Sequence, residues 1–428
     1  MRAREQITLL AIMLFGAITR FWNLATPKGY VFDEVYYVDG AKDYLKYGVE
    51  VDKTSPEFIV HPPIGKWLIS IGIKIFGDNE FGWRFIGALL GTLSISLIYI
   101  IAKRLFNSIF LATSAASLMA FDGLHLVLSR TALLDIYLMF FVLLAFFFFL
   151  TEKYWWTGIS LGIAIGIKWS GIYYLVSLFV IALYFEFKNK SSTKILIGRI
   201  TQFLFLPSFI YSFSWSGWFL SNRGWDRHWA DGNGGFFSFI PSSVRSLWHY
   251  HVEMLNFHTG LTQAHSYSAN PWSWLILGRP TSFYYQFPKT CGSNSCAQEV
   301  VALGTPLLWW LGTAALFVTL GYFISRREKV AGLILTGIAA GYLPWFFFQK
   351  RTVFSFYAIV FEPFIILALV YCFAKILEDP ETYKVRKSAL IAVQIAIGIF
   401  FLYFFPLFVA TVTTYDDWHA RMWFNSWI

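Results

Sequence analysis

The chain has 428 residues, 57% of them hydrophobic and 14% charged, against about 45–50% and about 25% in soluble domains, which excludes an ordinary soluble globular protein. Aromatic residues make up 21%, with 19 Trp and 23 Tyr, the side chains favoured where a ring bridges lipid and headgroups. The formal charge of +9 falls mostly in short loops between apolar runs, as the positive-inside rule produces, and gives no ground for a nucleic-acid partner.

Apolar runs of roughly 17 to 25 residues can cross a bilayer as helices. Eleven such runs predict an all-α integral membrane protein: 7–24, 82–102, 107–122, 131–150, 154–168, 169–187, 196–219, 304–324, 330–348, 352–374 and 388–412. The N-terminal "MRAREQITLLAIMLFGAITRFW" has the basic start and apolar stretch of a signal peptide but no small-residue cleavage site, and reads as an uncleaved first span. With the N-terminus inside, Arg2 and Arg4, Lys103 and Arg104, Lys153, Lys188 to Lys194, Arg326 to Lys329 and Lys375 to Lys387 share one side. An odd number of spans then puts the C-terminal "TYDDWHARMWFNSWI" outside, with the long loops 25–81 and 220–303. No linker or repeat interrupts the chain, so residues 1–428 form one membrane domain whose polar chemistry gathers on the extracytoplasmic face.

In the first loop, "GYVFDEVYYVDG" sets Asp33 and Glu34 side by side, with Asp39 close behind. Adjacent carboxylates can be a solvated face. Here Val31, Phe32, Val35, Tyr36 and Tyr37 argue for partial burial, which raises a carboxylate pKa toward that of a useful proton acceptor. In "VHPPIGKWL", residues 60–68, two prolines fix the backbone between His61 and Lys66; a rigid turn explains the same pattern. "KWLISIGIKIF", residues 66–76, is too short to span and is expected along the interface. A metal site from Asp33, Glu34 and His61 lacks a further ligand at a recognisable spacing, so no metal is expected.

Charges at span ends or within spans come next: Arg20, Arg84, Asp122, Arg130, Asp135 and Lys168. Each is costly in hydrocarbon unless it is paired, snorkels or faces a polar cavity. Any one of Arg20, Arg84, Arg130 and Lys168 could be a snorkelling anchor; their number near the outer leaflet favours an anion-binding cavity. In the second loop, "PSSVRSLWHYHVEMLNFH", residues 241–258, predicts a juxtamembrane helix. "HSYSANPWSWLILGRPTSFYY", residues 265–285, offers His265, Trp274 and Arg279 for a sugar or peptide surface, although interfacial anchoring predicts the same Trp and Tyr. Cys291 and Cys296 in "CGSNSC" lie on the expected oxidising side, where Gly292 and Asn294 permit a tight closed turn, so a disulfide is expected. Cys372, inside a span, reads as a small core residue.

Taken together, "FDE", "HPPIGKWL", "WRFIGALLGTL", "SRTALLDIYLMFF", "GIKWSG", "SYSANPWSWLILGRP" and "ALGTPLLWWLG" resemble the protein O-mannosyltransferases, in the bacterial form without the extra sugar-binding-like domain. The resemblance runs in order along almost the whole chain, and the DE followed by HPP is its most specific part. It implies a C-type glycosyltransferase fold with eleven spans, polyprenyl-phosphate mannose as donor, no cofactor, and transfer to Ser or Thr of exported proteins, with the secretion channel as a further candidate partner. It places the family's DE motif on Asp33 and Glu34, with Asp33 as the base, and its span arginines on Arg20 and Arg84. One departure is Thr305, where the family pattern has Asn.

The residue chemistry agrees with that expectation. A phosphate leaving group needs positive charge rather than a strong acid, which Arg84 and Lys168 could supply. A hydroxyl nucleophile needs a base, and one carboxylate suffices for direct displacement with inversion. Glu34 would then orient the acceptor or pair with an arginine. Two alternatives remain: an enzyme of the same architecture moving another sugar, such as arabinose or aminoarabinose, and a membrane transporter. The chain lacks the related halves common in transporters.

Overall fold

The protein, as a computed structural model, is described over residues 3–52, 55–232, 234–293 and 295–428. Arg2, expected among the inner basic residues, and Asn294, expected in the turn between the cysteines, lie outside these residues, as does the side chain of Arg4.

The chain is mostly helical. Helix α1 (Ala3–Phe21) leads to a short helix α2 (Glu34–Tyr47), and then α3 (Ile64–Phe76), α4 (Glu80–Phe106), α5 (Ile109–Ala120), α6 (Gly123–Ser129), α7 (Leu134–Leu150), α8 (Tyr154–Ile167) and α9 (Gly171–Lys188) follow. Next come α10 (Thr193–Ile200), α11 (Leu206–Ser214), α12 (Ser216–Leu220), α13 (Ser242–Gly260), α14 (Pro306–Arg326), α15 (Lys329–Tyr342), α16 (Glu362–Ile376), α17 (Tyr383–Phe408) and α18 (Tyr415–His419). Each of the eleven apolar runs contains helix. By length and apolarity, however, only six described helical segments can cross a bilayer, or seven if the bent pair α5 and α6 counts as one span. The shortfall has local causes. Charged residues sit at both ends of α1, α7 and α8 have 17 and 14 residues, and the run expected at 352–374 becomes helical at Glu362 only after a 3₁₀ turn over Ser355–Val360.

Capping residues set several boundaries. The Asn79 side chain accepts the Gly82 N–H at 3.0 Å and starts α4, and Asn107 ends it in the left-handed conformation. Asp122 accepts the His125 N–H at 2.9 Å, restarting the helix as α6 after a 62° bend from α5. Its other oxygen accepts from the Thr305 N–H and the Trp309 indole, so this intramembrane acid is consumed by structure, as buried acceptors must be. Where α3 crosses α4, a methyl on Gly72 would collide with the Gly82 carbonyl, and only glycine allows the approach.

Two small sheets accompany the expected helices. A three-stranded antiparallel sheet, β3 (Thr281–Gln286), β4 (Cys296–Ala302) and β5 (Thr413–Thr414), joins the second loop to the C-terminal segment, and a two-stranded ribbon, β1 (Val51–Asp52) and β2 (Ser55–Pro56), lies in the first. The β-branched and aromatic content of "TSFYYQ" and "CAQEVVA" favours pairing. Cys291 and Cys296 form a disulfide beside the β3–β4 hairpin. Cys372 is a free, half-buried thiol in α16.

Candidate active site

A cavity of about 520 Å³ lies among α8, α9, α11, α13 and the C-terminal end of α15, within the usual size of a small-molecule site. Its walls differ sharply. One sector is apolar, with Ile165, Leu175, Phe203 and Pro207. Ile172, Leu204 and Leu255 line the cavity and are exposed, so the apolar sector is open rather than sealed. Phe203 and Leu204 belong to a π-helical turn, Thr201–Phe205, inserted between α10 and α11, a distortion that often marks functional positions. The other sector carries His61, Asp135, Lys168, His251, His258, Arg351 and Tyr357.

Hydrogen bonds order this polar sector. Lys168 Nζ donates to both Asp135 oxygens at 2.9 and 2.8 Å, which neutralises it within the wall, and it also lies 5.2 Å from the Tyr357 ring centre. The Trp169 indole donates to the Tyr211 hydroxyl at 2.9 Å, and that hydroxyl lies 2.7 Å from His251 Nε2. Leu247 O accepts from His251 Nδ1 at 2.7 Å. A carbonyl cannot donate, so the His251 proton is on Nδ1 and Nε2 accepts from Tyr211. Arg351 makes no salt bridge among the described residues. It is therefore the cavity's uncompensated cation. Burial and the neighbouring Lys168 hold His61 well below the usual histidine range, so it is neutral at ordinary pH.

The two adjacent carboxylates have opposite fates. Phe32 adopts a left-handed backbone, φ +50°, uncommon for a bulky side chain and the kind of strain that collects at functional sites. Its ring stacks on Phe283 at 4.8 Å and meets Phe354 and Phe356 edge-on. Asp33 then caps α2 without a side-chain hydrogen bond to its backbone. It is half-buried beside the polar wall, where burial raises its pKa to about 6 against the pull of Lys168, with Asp135 adding to the rise. Glu34 is fully buried. It accepts from Arg84 Nε and Nη2, each at 2.8 Å, from the Val31 N–H at 2.9 Å and from the Ala132 N–H at 2.8 Å. Arg84 completes the clamp by donating to the carbonyls of Leu24, Pro27 and Gly29.

Of the expected phosphate-binding cations, the structure brings only Lys168 to the cavity. Arg84 is saturated by Glu34 and the loop carbonyls. Arg20 is fully buried, 2.8 Å from His125 Nδ1 and donating to the Gly16 and Met119 carbonyls. Arg130 donates to the carbonyls of Thr19, Arg20, Trp22 and Asn23. Arg84 and Arg130 fasten the end of α1 and the loop after it, because unpaired backbone carbonyls at a helix end attract guanidinium groups, and Arg20 ties α1 to α5 and α6.

Among the loop candidates, His61 reaches the cavity wall. Lys66 instead forms a buried ion pair with Glu50. Trp274 is buried and donates to the Ala269 carbonyl, and Arg279 holds the Ser266, Ser426 and Ile428 carbonyls. His265 is exposed and lies edge-on to Phe354. Asp39 accepts from Tyr30 in an exposed cluster. The residues not anticipated are Trp169, Tyr211, His251, His258, Arg351 and Tyr357. One of them had a readable signal: in the expected topology Lys350 and Arg351 fall on the outer side, against the positive-inside pattern. Among the described residues no group of three or more His, Cys, Asp or Glu is placed to hold a metal.

The fold defines a class. It matches the S. cerevisiae protein O-mannosyltransferase Pmt1–Pmt2 complex bound to the sugar donor with a TM-score of 0.84 at 16% identity, covering 100% of this chain and 93% of that one. It matches ArnT from Cupriavidus metallidurans bound to undecaprenyl phosphate with a TM-score of 0.55 at 15% identity, covering 95% and 71%. This is the membrane-embedded C-type glycosyltransferase fold. Residues 10–216 match the dolichyl-phosphate-mannose-protein mannosyltransferase family and residues 243–427 the C-terminal four-span region of protein O-mannosyltransferases. The polyprenol-phosphate-mannose–protein mannosyltransferase of Mycobacterium tuberculosis is 32% identical, covering 100% of this chain and 92% of that protein. The chain belongs to the protein O-mannosyltransferase family.

Proposed function

We propose that the chain transfers mannose from polyprenyl-phosphate mannose to Ser or Thr hydroxyls of exported proteins, with inversion, at the extracytoplasmic face of the membrane. The observation that carries this reading is the two-sided cavity. An open apolar sector suits a polyprenyl chain, and a polar sector with the uncompensated Arg351 suits its phosphate. Family membership supports the same donor. Lipid bilayer, donor and acceptor protein are then the partners, and the acceptor approaches from the side of Asp33.

In this mechanism Asp33 accepts the hydroxyl proton as the acceptor oxygen attacks the anomeric carbon. The bond from that carbon to the phosphate oxygen breaks, and negative charge develops on the leaving polyprenyl phosphate. Arg351 stabilises that charge directly, as fixed cations do for a leaving phosphate. Lys168 contributes less because Asp135 already neutralises it. Glu34 holds the loop that presents Asp33 and has no free oxygen for a second catalytic role. The arrangement needs no general acid and no metal. The N-terminus and the basic helix ends lie on the cytoplasmic side, and the loops 25–81 and 220–303 and the C-terminal segment outside, within one domain spanning 1–428.

The test incubates membranes holding the protein with labelled polyprenyl-phosphate mannose and a Ser/Thr acceptor peptide. Label is expected in the peptide, and Arg351→Ala is expected to raise the donor KM about tenfold or more, the scale of a lost charge-assisted contact. Transfer from another polyprenyl-phosphate sugar but not from the mannose donor would sink the substrate assignment. The pH profile provides a second check. Asp33 must be ionised to act, and its pKa is raised to about 6, so kcat/KM should climb with pH through about 6 and fall about tenfold per unit below it. A flat profile between about pH 5 and 7 would remove Asp33 as the base.

A further inference from the structure

His258, near the C-terminal end of α13, touches two elements far away in sequence. Its Nε2 lies 2.6 Å from the Val60 carbonyl and its Nδ1 lies 3.4 Å from Arg351 Nη2. A carbonyl only accepts and a guanidinium only donates. The two contacts are compatible with one state of the ring: neutral, with its proton on Nε2. Burial, followed by the charge of Arg351, lowers its pKa to about 4 and keeps it in that state. The ring is also wedged between Trp169, at 5.8 Å, and His61, at 5.2 Å.

Arg351 needs such an anchor. It lies in the irregular segment between the 3₁₀ turns Leu343–Phe348 and Ser355–Val360, so no helix fixes its direction. Its backbone is held by the Arg351 N–H to Phe348 O bond and by the next residue's N–H bond to Leu261 O, just beyond α13. Its Nε is buried without a partner. Beyond His258, no hydrogen bond to its guanidinium occurs among the described residues.

We propose that His258 is a positioning residue that ties the HPP turn to Arg351 and aims the guanidinium into the cavity. It does not touch the donor; it sets where the phosphate-binding cation stands. The inference rests on the reading of Arg351 as the donor-phosphate cation. It gives the segment 60–63, of which only His61 lines the cavity, a second link to the cavity through the Val60 carbonyl.

The test measures kcat and donor KM, at saturating acceptor peptide, for His258→Phe, His258→Gln, Arg351→Ala and the His258→Phe/Arg351→Ala pair in lipid nanodiscs. Phenylalanine keeps the ring stacking and removes both hydrogen bonds; glutamine can restore one donor and one acceptor. The expected result is a rise in donor KM of about tenfold in His258→Phe, most of it recovered in His258→Gln, with the pair no worse than Arg351→Ala alone, as coupled residues behave. Multiplying effects in the pair, or His258→Gln as impaired as His258→Phe with both folded, would overturn the proposal while leaving Arg351 in its role. An unchanged KM in Arg351→Ala would overturn both readings. If His258→Phe fails to fold, the recovery in His258→Gln relative to His258→Ala decides in its place, and equal impairment of the two rejects the proposal.

Discussion

Asp33→Asn should lower kcat by about 10²–10⁴-fold, the usual contribution of a positioned general base, while donor binding and thermal stability stay near those of the parent protein. Asparagine has almost the same shape as aspartate. Asp33 makes no side-chain cap bond to α2, so the substitution removes charge without a structural contact. Its half-burial beside Lys168 and Asp135 is what sets its basicity. The measurement is single-turnover transfer from donor already bound. Transfer at parental rate would eliminate Asp33 as proton acceptor, and a loss confined to KM would turn it into a binding residue.

The second large effect concerns Glu34 and Arg84, and it is an effect on folding. Both are fully buried, and breaking such a pair by removing one partner costs about 3–5 kcal/mol because the other charge is left uncompensated. Arg84→Met strands Glu34 among its two backbone donors and releases the carbonyls of Leu24, Pro27 and Gly29. Thermal unfolding in detergent should therefore show a lowered midpoint for Arg84→Met and for Glu34→Gln, with the double variant recovering part of the loss. A stable Arg84→Met protein with a raised donor KM would instead restore the role in phosphate binding expected from the sequence.

Much of the fold was readable because lipid imposes long apolar runs and concentrates basic residues on one side. The DE pair was readable for a related reason: carboxylates among Val31, Phe32, Tyr36 and Tyr37 have no cheap solvated explanation. An arginine partner for Glu34 was among the expectations, but which charges pair was not readable. Glu34 meets Arg84 fifty positions away, and Asp135 meets Lys168 thirty-three positions away. One arginine is thus removed from the list of free cations and one lysine is neutralised within the wall. The carbonyl clusters that absorb Arg20 and Arg130 form only when helix ends meet. Arg351 was legible as an outer-side exception to the charge rule, whereas the His258 link to Val60 depends on α13 folding back across the first loop.

The open apolar sector of the cavity alters how the enzyme's kinetics must be expressed. Ile172, Leu204 and Leu255 line the cavity and remain accessible; on the proposed reading the donor enters this open apolar sector from within the bilayer, and its effective concentration is a surface density. Transfer rates should follow the mole fraction of donor in the membrane, and adding inert phospholipid at constant donor per millilitre should slow the reaction. The acceptor peptide, arriving from water, should show no such surface dilution.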